Sequence, residues 1–585
     1  MSIALTVLSG SVGCGGGSAS SEAEPSDGPG LFVEVAQEVG LDFVYRNGAG
    51  GDLLLAEIMG SGAALLDYDR DGDLDVLLLQ GASFEDGSSG SSRGSSAQEK
   101  AMGASLFRNE LMESGELHFT DVTQVSGLDA RGHAMGATVG DVDNDGWPDL
   151  YLTFYGSNQL WRNRGDGGFE LAPAVSTADA AADAVETTRW STAASFFDYD
   201  RDGWLDLYVV DYLVYSPESD PPCVDISGRP DYCRPTEFPS APDRLFHNRG
   251  DGTFEEVTAA AGIGRPGAGL GSLALDADDD GWLDLFVAND GEPNFLWRNR
   301  GDGTFEETAV PAGAAVNRDG QPEASMGLAA GDFDGDGAED FFITHLALET
   351  ATLYRRLGPG LYDDATAAAD LTEITWKLTG FGAAALDYDL DGDLDLMQVN
   401  GGVERVPDLT TLYAERPLAM PNQLFENRGD GRFREVSRRA GGGLQEREVS
   451  RGLAVGDLDN DGDADALITN NDGPVRLLLN QASEKGSWVG LRLVETGGRD
   501  ALGAQVEVRF IDGSTALRRV RTDGSYLSAS DPRLLFGLGD GAVPEEAQVT
   551  WVDGTGEIFA VEAGRYQELQ RGAGRPVSGS AGGDS

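Results

Sequence analysis

One nine-residue pattern, D-x-D-x-D-G-x-x-D, recurs seven times and constrains this 585-residue chain more than any other feature. We number its positions 1 to 9 and call each copy an aspartate loop. Loops 1 to 7 begin at Asp67, Asp141, Asp198, Asp276, Asp332, Asp387 and Asp457. Intervals of 74, 57, 78, 56, 55 and 70 residues separate successive copies. This period indicates a repeat architecture in which each unit stacks on its neighbours.

The sequence around each loop repeats as well. A run of small and apolar residues precedes the loop, as in GAALLDYD, and an apolar run follows it, as in LDVLLLQG. Short apolar runs bounded by turn residues are typical of buried strands. A second unit, such as LFHNRGDGTFEEVT or LWRNRGDGTFEET, indicates a strand, a tight turn and another strand. Four strands in each of seven repeats predict an all-β, seven-bladed β-propeller.

The two ends of the repeat region predict that the ring closes. The seventh repeat runs to VRLLLNQ and then lacks its final strand. The segment Phe32 to Val35, near the N-terminus, resembles the missing piece. We expect it to complete the last blade, because proteins avoid leaving an unpaired edge strand.

The aspartate loops predict calcium, up to seven ions with one in each blade. Positions 1, 3 and 5 offer carboxylates, position 7 a backbone carbonyl and position 9 one or both carboxylate oxygens. Glycine at position 6 permits a sharp reversal. Six or seven hard oxygen ligands favour calcium over transition metals, and over magnesium, which needs stricter octahedral geometry. The candidate ligands are Asp67, Asp69, Asp71, Asp73 and Asp75; Asp141, Asp143, Asp145 and Asp149; Asp198, Asp200, Asp202 and Asp206; Asp276, Asp278, Asp280 and Asp284; Asp332, Asp334, Asp336 and Asp340; Asp387, Asp389, Asp391 and Asp395; and Asp457, Asp459, Asp461 and Asp465.

Two other interpretations of the loops, an EF-hand and a solvated acidic turn, have to be compared with the calcium loop. An EF-hand loop begins in the same way but requires glutamate at position 12. Position 12 is occupied here by Leu78, Leu152, Val209, Val287, Ile343, Gln398 and Ile468. A solvated acidic turn would explain one copy. Seven copies with the same ligand positions favour metal binding, because uncompensated carboxylates in one loop repel each other.

The charge of the chain restricts its partners. It carries 100 acidic and 42 basic side chains, a net charge of −58. This balance argues against nucleic acid and against anionic membrane surfaces, which both require a basic footprint. No apolar run reaches the ~18 residues that a membrane-spanning helix needs.

The cysteines indicate export. Cys223 and Cys233 lie ten residues apart in the proline-rich segment PPCVDISGRPDYC, which suits a local disulfide in an oxidising compartment, the alternative being two free thiols. Cys14 follows a short apolar stretch and precedes GGGSASSEAEPSDGPG. This pattern predicts a lipoprotein-like or ordinary signal segment. We therefore expect a secreted protein, or one lipid-anchored through Cys14 at the bacterial cell surface.

The loops and the N-R-G-D-G-x-F turns resemble FG-GAP (VCBS-type) repeats, as in integrin α-subunit propellers. The segments WVGLRLVETGGRDALGAQVEVRF, GSYLSASDPRLLFGLG and VTWVDG, from Trp488 onward, look like an ASPIC/UnbV domain. The combination is similar to bacterial relatives of cartilage acidic protein. The resemblance implies calcium at the loop positions and no catalytic residue. The fifth repeat departs from the pattern, since RRLGPGLYDD replaces its second turn.

Four segments follow from these features. Residues 1–30 are the signal-like segment and linker, 31–482 the propeller, 483–572 a small β-sandwich-like domain and 573–585 a disordered tail.

The main functional hypothesis is a non-enzymatic, extracellular calcium-binding scaffold that recognises an unknown protein or glycan. One alternative is a carbohydrate-active lyase or hydrolase that uses the propeller channel, with His133 or His345 in its active site. Another is a passive cell-surface structural protein.

Two further motifs have competing interpretations. R-G-D begins at Arg164, Arg249, Arg300 and Arg428, either as an integrin ligand or as a hairpin turn. The position-7 tryptophans Trp147, Trp204 and Trp282 either stack on sugars or fill gaps between blades.

Overall fold

The computed structural model of the chain describes residues 31–83, 103–172, 189–225, 227–405, 416–482, 487–539 and 541–577. The predicted signal segment with Cys14, and the last residues of the predicted tail, lie outside the described residues. No helix of the described residues is long and apolar enough to cross a membrane.

The strands are short and antiparallel within each repeat. The first strand is β1 (Val33–Glu34). Blade 1 consists of β2 (Ala63–Leu66), β3 (Asp75–Leu79), β4 (Ala104–Asn109) and β5 (Phe119–Asp121). Blade 2 consists of β6 (His133–Gly140), β7 (Asp149–Tyr155), β8 (Gln159–Asn163) and β9 (Phe169–Leu171). The next strands are β10 (Ser191–Phe197), β11 (Asp206–Asp211), β12 (Ala241–Pro242), β13 (Arg244–Asn248), β14 (Phe254–Glu256) and β15 (Pro266–Gly267). Of these, β12 and β15 pair with each other, and the other four form blade 3.

The remaining blades follow the same order. Blade 4 consists of β16 (Gly269–Leu275), β17 (Asp284–Asn289), β18 (Phe295–Asn299) and β19 (Phe305–Glu307). Blade 5 consists of β20 (Leu328–Gly331), β21 (Asp340–Ile343), β22 (Thr352–Gly358) and β23 (Leu361–Asp364). Blade 6 consists of β24 (Gly380–Leu386), β25 (Asp395–Asn400), β26 (Gln423–Asn427) and β27 (Phe433–Glu435). Blade 7 adds β28 (Ser450–Gly456), β29 (Asp465–Asn470) and β30 (Arg476–Leu479).

Helices contribute little. In the described part of the chain the α-helices are Leu55–Met59, Leu111–Ser114, Thr123–Ser126, Ala309–Ala312, Thr372–Thr375 and Ser437–Ala440. Short 3₁₀ turns occur at Pro217–Ser219, Pro235–Glu237 and Gly442–Gln445.

The seven sheets form a closed ring. The innermost strands contact one another in the order β2, β6, β10, β16, β20, β24, β28, and β28 contacts β2 again. The chain closes the ring with its own N-terminus, because β1 pairs with β30, Val33 opposite Leu479 and Glu34 opposite Leu478. Both the propeller and the role of the N-terminal strand are thus as predicted from the sequence.

The ring has two chemically different faces. Each aspartate loop joins the first strand of a blade to the second, so all seven loops lie at one end of the ring, the aspartate face. Connections from the second strand to the third lie at the other end, the opposite face, because the strands are antiparallel. The longest described connection of this kind, between β11 and β13, carries the Cys223–Cys233 disulfide.

In six of the seven blades, an asparagine at the end of the third strand, or directly after it, joins neighbouring blades. The Asn163 side chain, which is 3% exposed, donates hydrogen bonds to Pro148 O in its own blade and to Tyr68 O in blade 1, at 3.3 and 2.7 Å. Its equivalents bond the preceding blade in the same way; they are Asn109, Asn248, Asn299, Asn427 and Asn480. Asn109 reaches Leu458 O of blade 7 at 2.9 Å, so the same contact also closes the ring.

Blade 5, whose sequence departs from the repeat, joins blade 4 in another way. Arg356 occupies the asparagine position, and its guanidinium lies 2.9 Å from the carboxylate of Asp279 in loop 4. Gly360 N donates to Ala277 O at 2.8 Å. Ala277 O is the carbonyl that the repeated asparagine would bond, so a backbone amide replaces the missing side chain.

The C-terminal domain consists of two packed sheets. Its strands are β31 (Trp488–Val494), β32 (Gln505–Phe510), β33 (Thr515–Arg519), β34 (Leu534–Gly537), β35 (Pro544–Thr550), β36 (Gly556–Ala560), β37 (Tyr566–Gln570) and β38 (Arg575–Pro576). The sheet orders are β34-β31-β37 and β33-β32-β35-β36-β38. Fully buried side chains such as Val489, Val506 and Trp551 form a shared apolar core. Val577 N donates to Gly556 O at 3.0 Å, so the domain extends past the predicted boundary at residue 572.

A segment of the C-terminal domain fills the propeller channel. We call residues 522–531, between β33 and β34, the plug. Its backbone pairs with the innermost strands of blades 1 and 5, where Ala529 bonds Ala63 and Leu65, and Ser525 bonds Leu328. Further hydrogen bonds reach the innermost strands of the other blades except blade 6; the partners are Ala137, Val139, Ser195, Ser272, Ala274, Leu453 and Val455. Tyr526 supplies the contact with blade 6, so the plug contacts all seven blades.

Tyr526 lies at the tip of the plug and is fully buried. Its ring packs edge-on against Phe381 of blade 6, with centroids 4.8 Å apart. Its hydroxyl donates to Met59 O at 3.1 Å, in the helix Leu55–Met59 at the far mouth of the channel. Gly62 makes room for this packing, because a Cβ there would lie 1.7 Å from Leu527 O.

A buried arginine completes the far mouth. Arg451 is 0% exposed, and its guanidinium donates to the carbonyls of Ile58, Gly401, Ser450 and Gly402 at 2.7–3.2 Å. The guanidinium also lies 3.9 Å from the centre of the Phe381 ring. Burial lowers its pKa to about 10. Tyr526 and Arg451 therefore close the far mouth of the channel, and the C-terminal domain lies over its other end.

The asparagine contact predicts a large effect of one substitution. Asn163→Ala removes two donors from buried carbonyls, and each unpaired carbonyl costs about 1–3 kcal/mol. We expect the free energy of unfolding, measured by urea titration, to fall by about 2–4 kcal/mol. Asp166→Ala, in the exposed turn that follows, should change it by less than about 0.5 kcal/mol. Equal effects of the two substitutions would contradict the proposed role of Asn163.

The plug predicts that the propeller and the C-terminal domain unfold together, in one calorimetric transition. Tyr526→Ala should lower the free energy of unfolding by about 3–5 kcal/mol, because it leaves a cavity in the channel. Tyr526→Phe removes only the hydrogen bond to Met59 and should lower it by about 0.5–1.5 kcal/mol. Two well-separated transitions in the unsubstituted protein would show that the plug does not couple the domains.

Candidate functional site

Each aspartate loop folds back on itself through two residues with positive φ. Position 6 is glycine with φ between +85° and +102° in every loop. Position 4 is also left-handed in all seven loops, with residues such as Arg70 at +57° and Asn144 at +56°. From loop 2 to loop 7 the amide of position 6 donates to the carboxylate of position 1 at 2.7–3.1 Å. These bonds hold the carboxylate of position 1 against the backbone of the turn.

The aspartate at position 9 has a different environment. Asp149 accepts hydrogen bonds on both oxygens, from Val142 N at 3.0 Å and from Asn163 N at 2.8 Å. Loops 1, 3, 4, 6 and 7 repeat both contacts, whereas Asp340 of loop 5 accepts only from Arg356 N. Position 9 thus fixes the loop to the third strand, and only its remaining lone pairs can reach a metal.

Carboxylates of the aspartate loops converge on shared points. Ligand atoms of Asp67, Asp69 and Asp71 lie within 4.8 Å of one another, and the same holds for Asp141, Asp143 and Asp149 and for Asp198, Asp200 and Asp202. Loops 1 to 6 each contain buried carboxylate oxygens for which the described residues offer no hydrogen-bond partner. These are Oδ1 of Asp67, Asp69, Asp73, Asp143, Asp198, Asp276, Asp278, Asp334 and Asp389, and Oδ2 of Asp71 and Asp340. Oxygens buried in this way require a cation or water as their partner.

The pKa values of the position-1 carboxyls also indicate that negative charge is buried in the loops without compensation. Burial is the largest cause, and it raises the pKa of the position-1 carboxyl to about 6 in loops 1, 2, 3, 4 and 7 and to about 7 in loop 6. Neighbouring loop carboxylates raise these values further. A bound cation would favour the ionised form and compensate this charge.

One histidine joins the third loop. His247 Nδ1 lies 3.2 Å from Asp206 Oδ1 and 3.4 Å from Asp200 Oδ2, and the three form a cluster of possible ligand atoms. Loop 3 therefore differs from the all-oxygen donor set that the sequence pattern predicts.

The C-terminal domain docks on the aspartate face. Tyr566 donates its hydroxyl to Asp457 Oδ2 at 2.9 Å, and Gly537 N donates to Asp387 Oδ2 at 3.0 Å. Arg533 donates to Asp457 O and to Asn460 Oδ1, each at 2.8 Å. Position-1 carboxylates of two loops are thus direct contacts of the docked domain.

Arginines of the C-terminal domain face the acidic ring. Arg492, Arg499, Arg518, Arg519 and Arg533 each lower the pKa of at least one position-1 aspartate, against the effect of burial. Arg519 and Arg521 both pair with Glu339, between loop positions 7 and 9 of blade 5, and Arg519 does so at 2.6 Å. The basic side chains thus partly neutralise the face that carries the most concentrated negative charge.

The remaining candidates from the sequence lie elsewhere. His133 and His345 are buried and contact backbone carbonyls, Ala82 O at 2.9 Å and Thr350 O at 2.7 Å respectively. They lie in different blades and the structure does not bring them together. Trp147, Trp204 and Trp282 each lie against the hairpin glycine of their own blade, which is consistent with a packing role. All four R-G-D triplets form the turn between the third and fourth strands.

Three important features were missed at the sequence level. The asparagine of N-R-G-D-G-x-F was interpreted only as part of a turn, although its recurrence was a signal for a shared side-chain contact. The plug corresponds to GSYLSASD, whose small residues around one tyrosine fit a narrow channel. The arginines from Arg492 to Arg533 were visible as a basic group beside an acidic propeller, and this complementarity was a signal for docking.

Comparison with known proteins agrees with this architecture. The model for the FG-GAP-like repeat matches residues 67–152, 141–209, 227–287, 276–343 and 407–468, and the model for ASPIC and UnbV matches residues 495–576. Cartilage acidic protein 1 from Homo sapiens is 23% identical over 451 residues, 73% of this chain. The Xenopus tropicalis protein of the same name is 23% identical over 516 residues, 84% of this chain and 70% of its own length. The chain spans 61% of the length of the human relative.

Solved structures show only distant likeness. A lectin from Agrocybe aegerita, described as recognising non-reducing terminal N-acetylglucosamine, covers 65% of this chain and 89% of its own, with 17% identity and a TM-score of 0.37. BBS1N, solved in complex with ARL6DN, covers 77% of this chain and 98% of its own, with 7% identity and a TM-score of 0.39. The family models match over half of the chain, and on that basis the protein belongs to the FG-GAP-like repeat family, with an ASPIC and UnbV segment at its C-terminus.

Proposed function

We propose that this protein is an extracellular scaffold whose propeller is stabilised by calcium in its aspartate loops, and which recognises a protein or glycan through its opposite face. The observation that carries the calcium part is the set of buried, unpartnered carboxylate oxygens in loops 1 to 6. The donors in most loops are hard oxygens, which suit calcium better than transition metals. Positions 1, 3 and 5 would supply the carboxylate ligands. Bound calcium would supply the positive charge that these carboxylates lack.

The disulfide and the relatives support an extracellular location. A disulfide such as Cys223–Cys233 persists in oxidising compartments. Lipid anchoring through Cys14 would add attachment to the cell surface.

Docking of the C-terminal domain supports the choice of the opposite face for recognition. That domain covers loops on the aspartate face, and its plug fills the channel. The opposite face keeps the connections between second and third strands. It displays Leu348, 54% exposed, beside Trp376, 41% exposed, and Leu348 N donates to Trp376 O at 2.6 Å. Exposed tryptophans are enriched at contact surfaces, and Trp376 is the residue that favours this site.

Removal of calcium should destabilise the protein. At a calcium concentration one hundred times the Kd, each site adds about 2.7 kcal/mol to the free energy of unfolding. We expect EGTA to lower the melting temperature by several degrees, and calcium but not magnesium at equal concentration to restore it. An unchanged melting temperature in EGTA would overturn the calcium assignment.

Loop variants separate calcium binding from general acidity. Asp71→Asn removes one loop 1 carboxylate, so the stabilisation by calcium should decrease by up to about 2.7 kcal/mol. Asp166→Asn changes the net charge equally at an exposed turn and should leave the stabilisation unchanged. The measurement is the shift of melting temperature between EGTA and calcium for each variant.

A glycan and protein binding array, run with and without calcium, tests recognition. For a ligand found there, the double variant Leu348→Ala, Trp376→Ala should bind at least tenfold more weakly, because both side chains lie on the opposite face. Its melting temperature should be unchanged, because both side chains are exposed. Leu171→Ala, at an exposed strand end elsewhere, should have no effect on binding. Undiminished binding by the double variant would exclude this part of the opposite face.

A further inference from the structure

A second group of carboxylates lies on the opposite face, away from all seven aspartate loops. A cavity of about 420 Å³ is lined there by Asp52, Glu57, Glu218 and Asp220, with glycine, proline, leucine and serine residues. Glu57 belongs to the helix Leu55–Met59 that closes the channel. Asp220 comes from the long connection between β11 and β13 in blade 3. The cavity is therefore where the channel cover meets the blade 3 insertion.

Glu57 and Asp220 lack a counter-charge among the described residues that line this cavity. Glu57 is 1% exposed; its Oε1 accepts from Gly50 N at 3.3 Å, and its Oε2 is buried without a hydrogen-bond partner among the described residues. Asp220 Oδ2 accepts from Leu55 N at 2.9 Å and from Tyr215 Oη at 2.8 Å, and Oδ1 is likewise buried and unpartnered. No lysine, arginine or histidine is among the described residues that line the cavity.

The electrostatics of Glu57 agree with this geometry. Burial raises its pKa most, hydrogen bonds with the backbone of Gly50 and Leu54 oppose this, and the negative charges of Asp52 and Asp220 add to the increase. Burying a carboxylate oxygen without a partner is costly, so native proteins supply a hydrogen bond or a cation.

We infer that this cavity binds a hard divalent cation, with the carboxylates of Glu57 and Asp220 as its protein ligands. The available donors are oxygens, without thiolate or imidazole, and a soft metal is therefore disfavoured. Asp52 and Glu218 at the rim add negative charge, and the cavity has room for water to complete a coordination shell of six to eight oxygens. The bound ion would hold the channel-closing helix against the blade 3 insertion.

Counting bound calcium tests the inference. Equilibrium dialysis of the full chain against calcium should show one ion fewer per chain for the Glu57→Gln, Asp220→Asn double variant than for the unsubstituted protein. Asp166→Asn with Asp251→Asn changes the net charge equally at exposed turns and should bind the full number. An equal number in the double variant would overturn the inference. If the aspartate loops bound no calcium, the unsubstituted protein would still bind one ion and the double variant none.

Stability provides a second readout, which also covers the case in which the double variant does not fold. Glu57→Gln keeps an acceptor for Gly50 N but removes the buried charge. In EDTA its melting temperature should equal or exceed that of the unsubstituted protein, and calcium should stabilise it less. An equal loss of melting temperature in EDTA and in calcium would show that Glu57 has only a structural role.

Discussion

The aspartate at position 9 and the asparagine that ends the third strand form the contact on which the propeller depends. In blade 2, Asp149 accepts from the amides of Val142 and Asn163, and the Asn163 side chain reaches the carbonyl of Tyr68 in blade 1. One buried cluster therefore sets the conformation of the aspartate loop, the position of the third strand and the spacing to the previous blade. These polar groups lose their hydrogen bonds to water when they are buried. Any other arrangement of the loop and strand would leave them unpaired, which is energetically costly. Blade 5 replaces the asparagine but satisfies the same carbonyl, Ala277 O, with the amide of Gly360, which shows that the carbonyl has to be paired.

The C-terminal domain is part of the same folding unit. Its plug adds hydrogen bonds and one aromatic contact to the innermost strands, and Tyr526 extends to the helix that covers the far mouth. Its arginines contact the acidic aspartate face across the interface between the C-terminal domain and the propeller. A propeller without this domain would have an open channel lined by the small residues of the first strands, together with an unneutralised acidic face.

This arrangement gives the two faces different roles. The aspartate face is contacted by the C-terminal domain and holds the carboxylates to which we assign calcium, so the role that we propose for it is to stabilise the ring. The opposite face keeps the insertions, the exposed pair Leu348 and Trp376, and the acidic cavity at Glu57 and Asp220. Because Tyr526 and Arg451 close the far mouth of the channel, we place the proposed recognition on the surface of the opposite face.

The sequence by itself determined the repeat, the strand order, the aspartate loops and the closure by the N-terminal strand. These features depend on local patterns, alternating turns and apolar runs, which recur with a readable period. Only the tertiary structure decided what the loops face, what fills the channel and which carboxylates meet outside the repeats. Glu57 and Asp220, or Tyr526 and Met59, are far apart in the chain, and no local preference brings them together. Their proximity follows from ring closure and domain docking, which are set by the burial of side chains from all seven blades together.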